Sequence, residues 1–241
     1  MPFLLIDKPA GITSHDVVDR VRKITAERTV GHAGTLDPFA TGLLIVAVGR
    51  ESTKNIAKYV GLGKEYEAEI VLGATTETLD PESAVVMMNT KSGQPGQLPG
   101  QPIVIEQAEL EAALKELTGD LQQIPPMHSA IKVKGKKLYE LAREGKEIPR
   151  EPRPVRVDVF ELLSPLNALR YELPATLNVR IACSSGTYIR ALARDLGEKL
   201  GTGGYLTALR RTRIGNFSVN DAIALDKLNQ ENWLSQTKNL V

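Results

Sequence analysis

The chain has 241 residues, 42% of them hydrophobic and 24% charged, the make-up of a globular protein able to bury a sizeable core. A single cysteine, Cys183, excludes an intrachain disulfide. Three scattered histidines give no zinc-ligand spacing, and no apolar run nears the roughly 20 residues of a membrane-spanning helix. The formal charge of +1 conceals two basic blocks, residues 128–156 at +5 and 186–213 at +4, against a remainder at −8, a pattern that suits either a polyanion-binding face or a solvated surface.

Phe3 to Ile6 reads as a short buried strand closed by the turn cluster Asp7-Lys8-Pro9-Ala10-Gly11. Thr13 or Ser14 can cap the next helix, in which Val17, Val18, Val21 and Ile24 recur at helical spacing. Val30 to Leu44 carries Gly31, Gly34, Gly42 and Pro38, and reads as a tightly turned loop at the mouth of an apolar strand, Leu43 to Val48. Its one acid, Asp37, is either a turn-former or a reactive carboxylate held in place. An amphipathic segment spans Ser52 to Val60, and Lys64 to Leu72 alternates so that Tyr66, Ala68 and Ile70 share a covered face.

Asn89 to Pro102 is rich in Gly, Pro and Gln and reads as a mobile inserted loop. Glu106 to Leu117 is helical and ends at Gly119. Residues 123–156 alternate prolines with basic residues around a short helix near Leu138 to Arg143. Strands follow at Val155 to Leu163 and Thr176 to Ala182, then a helix over Thr187 to Leu200 and a strand over Tyr205 to Ile214. Mixed strands and helices without a βαβ rhythm give an α+β fold around a large, mostly antiparallel sheet. Cys183 reads as a small core residue. Nothing matches a dinucleotide loop or a P-loop.

Gly31-His32-Ala33-Gly34-Thr35-Leu36-Asp37-Pro38, continuing to Ala40-Thr41-Gly42-Leu43-Leu44, resembles the catalytic motif of the TruB family, the synthases that make pseudouridine at position 55 in the T loop of tRNA. The usual Thr is replaced by Ala33. Further motifs follow in order. Lys8 to Ser14 resembles the family's first motif, Lys64-Glu65-Tyr66 its second, and Ser184 to Arg190 its third. Gln123 to Tyr139 resembles the RNA-gripping insertion, with His128 where Tyr is usual, and Leu209-Arg210-Arg211-Thr212 the segment closing over the uracil.

The resemblance implies a pseudouridine synthase fold, with helices flanking the sheet and a central active-site cleft. It implies a catalytic domain over residues 1–228, an RNA-binding insertion at about 123–156, and a short tail at 229–241 in place of a PUA-type RNA-binding module. Asp37 becomes the essential carboxylate and Arg190 its ion-pair partner. His32 fills the space of a flipped base, Tyr66 and Leu209 sandwich that base, and Tyr188 braces the wall. Tyr66 is also a candidate base for the C5 proton, and Lys132 and Lys136 grip the RNA. On residue type alone Tyr66 would be core filler. The isomerisation involves no redox change, so no cofactor or metal is implied. The expected partner is the T arm of tRNA, with no membrane and no protein partner, for a cytoplasmic monomer. A non-catalytic RNA-binding module and a guide-RNA-dependent synthase are the competing readings.

Overall fold

A computed structural model describes residues 1–88, 103–129, 131–133, 135–163 and 170–239, so the expectation for the Asn89 to Pro102 loop lies outside the described residues. The chain divides into two compact units, residues 1–67 with 208–241, and residues 68–207.

The first unit opens with β1 (Pro2–Lys8), α1 (Ser14–Thr25), β2 (Val30–Ala33) and β3 (Thr41–Val48). Two short helices, α2 (Arg50–Lys54) and α3 (Ala57–Val60), lead into β4 (Lys64–Leu72), which passes into the second unit after Glu67. That unit contains the hairpin of β5 (Ala74–Thr76) and β6 (Val85–Met87), then β7 (Val104–Glu106), α4 (Gln107–Glu116) and β8 (Gly119–Gln123). After these come β9 (Lys132–Val133), β10 (Lys136–Lys137), α5 (Leu138–Arg143), β11 (Arg153–Leu162), β12 (Arg170–Glu172), β13 (Ala175–Cys183) and α6 (Ile189–Leu200). Strand β14 (Gly204–Ile214) re-enters the first unit at Ala208, where β15 (Phe217–Ser218), β16 (Ile223–Ala224) and β17 (Thr237–Asn239) complete it.

Among the described residues eleven strands form one mixed sheet. The first unit holds the order β16, β1, β3, β14, β4, with β2 beside β3, β15 beside β14 and β17 beside β1; the second holds β4, β13, β11, β8. Within it β1–β3, β1–β17, β2–β3, β14–β15, β8–β11 and β11–β13 pair antiparallel, while β16 joins β1 and β14 joins β3 in parallel. The architecture is therefore the α+β, mostly antiparallel arrangement expected from the sequence.

Strands β1 and β3 are buried on both faces, which explains their unbroken apolar runs. Leu4, Ile6, Leu44, Val46 and Val48 join Val17, Val18 and Val21 of α1 in one cluster. The alternate residues Phe3, Leu5, Leu43, Ile45 and Ala47 join Tyr59 and Ile214 in another. Each such aliphatic side chain contributes roughly 1.5–3 kcal/mol by leaving water.

Helix α1 starts where a capping box fixes it: Asp16 N donates to Thr13 Oγ1 at 3.0 Å, and Thr13 N donates to Asp16 Oδ2 at 2.8 Å. The Ser52 to Val60 stretch is two helices rather than one. Asn55 ends the first, turning its N–H to Ser52 O and its amide to Glu51 O, bonds that compete with helix continuation. Residues 30–33, expected as loop, form β2, because pairing of Val30 with Val48 and Ala33 with Ile45 outweighs a weak local signal. Strand β4 alternates as expected, with Tyr66, Ala68 and Ile70 buried on one face, and Cys183 is 2% exposed in the core. No helix among the described residues is long and apolar enough to cross a membrane.

Candidate active site

The loop of residues 34–40 leaves β2 and returns into β3. Gly34 and Gly42, with φ of +90° and +102°, make its two bends in backbone conformations that suit only glycine. At Gly42 a second constraint applies, since a Cβ there would lie 2.3 Å from Arg211 O on the parallel neighbour β14.

Groups distant in sequence tie this loop on both sides of Asp37. Before Asp37, Ser14 makes a two-point bond to Leu36: its hydroxyl accepts from Leu36 N at 2.9 Å and donates to Leu36 O at 3.1 Å. After Asp37, Pro38 O accepts from Gly11 N at 2.9 Å and from Lys8 Nζ at 3.2 Å. Asp37 O accepts from Ala40 N at 3.1 Å, closing a turn. The guanidinium of Arg211 spans both limbs, donating to Gly34 O at 3.0 Å, Thr35 O at 3.5 Å and Leu43 O at 2.7 Å. Lys8 and Arg211 are 0% and 1% exposed. Asp37 itself is half-buried.

The first unit carries His32, Asp37, Tyr66 and Leu209. His32 is half-buried, and burial, followed by the charges of Arg211 and His15, lowers its pKa below the usual histidine value. The imidazole is therefore neutral at pH 7. Its Nδ1 is buried without a hydrogen bond of ordinary geometry, although the Gly34 backbone acts weakly to raise the pKa. Tyr66 and Leu209 are each 7% exposed. Leu209 shares a face of β14 with Arg211. On the opposite face Arg210 grips Asp7 through two bonds, at 3.0 and 2.8 Å.

The second unit carries Tyr188, Arg190, Lys132 and Lys136. Arg190 sits in the first turn of α6 and pairs with Asp80 at 3.1 Å, with side-chain exposures of 5% and 2%. Its two terminal nitrogens also donate to Thr78 O and His128 O, each at 2.8 Å. Leu79, between Thr78 and Asp80, has φ of +61°, a left-handed backbone that costs a side-chain-bearing residue roughly 1–2 kcal/mol. That turn presents Thr78 O and the Asp80 carboxylate to one guanidinium. Tyr188, the N-cap residue of α6, is held by the buried Gln123 amide, which accepts from Tyr188 N at 2.8 Å and donates to Tyr188 O at 3.1 Å. Lys136 is exposed and lies 3.4 Å from Glu144. The side chain of Lys132 lies outside the described residues.

Asp80, on which this geometry depends, escapes a reading of the sequence: it looks like an ordinary turn acid, and its partner Arg190 lies far along the chain. Ser14 and Arg211 fall within segments singled out from the sequence, but no local pattern marks their bonds to Leu36 and to the loop carbonyls.

The family model described as "TruB family pseudouridylate synthase (N terminal domain)" matches residues 22–189, and "tRNA pseudouridylate synthase B C-terminal domain" matches residues 190–240. Curated "tRNA pseudouridine synthase B" proteins are similar over nearly the whole chain. That of Mycobacterium tuberculosis (strain ATCC 25618 / H37Rv) is 48% identical over 233 residues, 97% of this chain and 73% of the relative. That of Corynebacterium glutamicum (strain R) is 46% identical over 234 residues, again 97% and 73%. Among solved structures, "Crystal Structure of a Cbf5-Nop10-Gar1 Complex" contains a chain that superposes with a TM-score of 0.66 at 29% identity, over 94% of this chain. This chain spans about half the length of that one, 53%. With both family models matched in sequence order and such identity across nearly its full length, the chain belongs to the TruB family of pseudouridylate synthases.

Proposed function

We propose that this enzyme isomerises uridine to pseudouridine at position 55 in the T loop of tRNA, with Asp37 as its essential carboxylate. That it is a tRNA pseudouridine synthase follows from the family models and from relatives 46–48% identical. The choice of Asp37 rests on one observation above the others: it is the one acid on a loop whose backbone is anchored both before and after it.

The reaction breaks the N-glycosidic bond, turns the uracil and rejoins it to C1′ through C5, whose proton then leaves. The carboxylate either attacks C1′ to give a covalent intermediate or removes a proton from C2′ to give a glycal. Both routes need it ionised in a site closed to water. In this reading Arg190 favours the charged form, and its own planar group is held by Asp80 and two carbonyls. The target nucleotide leaves its stack at a cost of a few kcal/mol. Neutral His32 fills the vacated space, Tyr66 and Leu209 sandwich the uracil, and Tyr188 braces the wall. Tyr66 also takes the C5 proton. Lys132 and Lys136 neutralise phosphates of the T arm, whose folded shape is what is recognised. A tRNA substrate implies the cytoplasm, and the protein acts as a monomer.

One observation favours a second reading, guide-RNA-dependent modification: the similar solved chain comes from a complex with two further proteins. Pseudouridine formation on a bare tRNA transcript, with no other component, separates the two. Asp37→Asn should abolish turnover on that transcript by ~10⁴-fold or more while tRNA affinity stays within a few-fold. A variant that keeps more than a few per cent of the wild-type rate would remove Asp37 from its role.

A further inference from the structure

We infer that Arg211 is a positioning residue for Asp37, acting through the loop backbone; the inference rests on the reading of Asp37 as the reacting carboxylate. Among the described residues Arg211 is the largest fully buried side chain, and its bonds go only to backbone carbonyls, with no carboxylate beside it. A buried guanidinium is costly to desolvate, and an apolar side chain of the same volume would fill the space at less cost. What an apolar side chain could not do is hold three carbonyls at once.

Those carbonyls lie on both limbs of the loop. Gly34 and Thr35 precede Asp37, Leu43 follows it, and one rigid planar group therefore sets the distance between the limbs. Backbone pairing does less, since β14 meets β3 only where Arg210 faces Thr41 and Arg211 faces Gly42. The absence of a Cβ at Gly42 lets the two backbones approach closely there. With Leu36 held by Ser14 and Pro38 by Lys8 and Gly11, the backbone on either side of Asp37 is fixed. A misplacement of about 1 Å in a reacting group costs on the order of 10²-fold in rate. A lysine at this position keeps the charge, but one nitrogen cannot reach all three oxygens.

The test is Arg211→Lys, read as the kcat of pseudouridine formation on tRNA transcript under saturating substrate, beside tRNA Kd and melting temperature. The expected result is a kcat lower by roughly 10²-fold, with Kd within about 3-fold, because a buried group does not dock RNA. Ser14→Ala, which frees Leu36, should lower kcat by about 10-fold. The double variant should lose less than the product of the two, since both act through one loop. Val21→Ala, a cavity in the core of the same unit, should lower the melting temperature at least as far with kcat unchanged. A kcat for Arg211→Lys that falls no further than that of Val21→Ala, or a loss that sits in Kd, overturns the inference. If Arg211→Lys does not fold, Ser14→Ala decides alone, and an unchanged kcat there is equally fatal. Asp37→Asn is measured alongside. If it is active, the reading of Asp37 fails; if it is inactive beside an Arg211→Lys at wild-type kcat, only the role of Arg211 fails.

Discussion

The Asp37 loop and the segment from Gln123 to Arg156 are both rich in proline or glycine, yet they are secured in different ways. Within the first unit the loop is held along its length, through Ser14, Lys8, Gly11 and Arg211. Within the second unit the segment is held at its roots. Gln123 bonds Tyr188, Arg194 takes Ile124 O at 3.0 Å, Arg150 takes Pro125 O at 3.1 Å, and Arg190 takes His128 O. Within it Leu138 and Leu141 are buried. The basic side chain of Lys136 beside them instead makes a surface ion pair with Glu144, the two side chains being 60% and 41% exposed. Such pairs contribute little, between 0 and about 1 kcal/mol. A group that must meet an atom within a fraction of an ångström needs the first kind of support. A surface that follows a phosphate backbone can work with the second.

The comparison can be broken most sharply at Gly42. Gly42→Ala adds a Cβ against the Arg211 backbone and forces alanine into a left-handed conformation, for a loss of about 2–5 kcal/mol in urea denaturation. An unchanged midpoint would mean the loop is not tightly held. Next is Gln123→Ala, which strips both bonds from the Tyr188 backbone and should cost roughly 1–3 kcal/mol. Hydrogen exchange at Tyr188 should quicken, and no change there would leave the root of the segment without its anchor.

Replacing Lys132, Lys134, Lys136 and Lys137 with Ala should alter stability by no more than about 0.5 kcal/mol. It should nevertheless flatten the salt dependence of tRNA binding by roughly 3 units, with KM rising more than kcat falls. An unchanged slope would end the assignment of these lysines to phosphate contacts. The smallest expected effect concerns pH. Because burial lowers the pKa of His32, the unfolded chain takes up a proton there more readily than the folded one. Its contribution to stability is therefore full above about pH 6.5 and declines as pH falls below that value. Stability measured between pH 7 and 5 should fall less steeply in His32→Gln, and equal slopes would show that His32 is not shielded.

Where structure follows from local chemistry, the sequence is legible. The Thr13–Asp16 cap, the alternation of β4 and the double-faced burial of β1 and β3 can all be read from neighbouring residues. The turn of the Asp37 loop is legible as well, because its glycines, proline and acid lie close together in the chain. Illegible are the bonds that hold the motif. Ser14 lies 22 positions from Leu36, and Arg211 lies 177 from Gly34. In the second unit, the Asp80–Arg190 bond is hidden in the same way, its partners 110 positions apart. A hydrogen bond over such distances depends on a finished sheet, and neither propensity nor periodicity records it. The same reason hides β2, whose four residues become a strand only against β3.

The position of Arg211 in the chain has a consequence for synthesis. The loop is translated early, and its clamp arrives only after the whole second unit has been made. At roughly 5–20 residues per second, the stretch from Gly42 to Arg211 takes on the order of 10–30 s. For that interval the nascent protein carries Asp37 on a loop whose two limbs are not yet joined by the guanidinium. The edge of β1 waits longer still, for β16 and β17. A ribosome that stalls before Arg211 therefore releases a chain whose Asp37 loop has Ser14, Lys8 and Gly11 as partners but lacks the guanidinium that spans its two limbs.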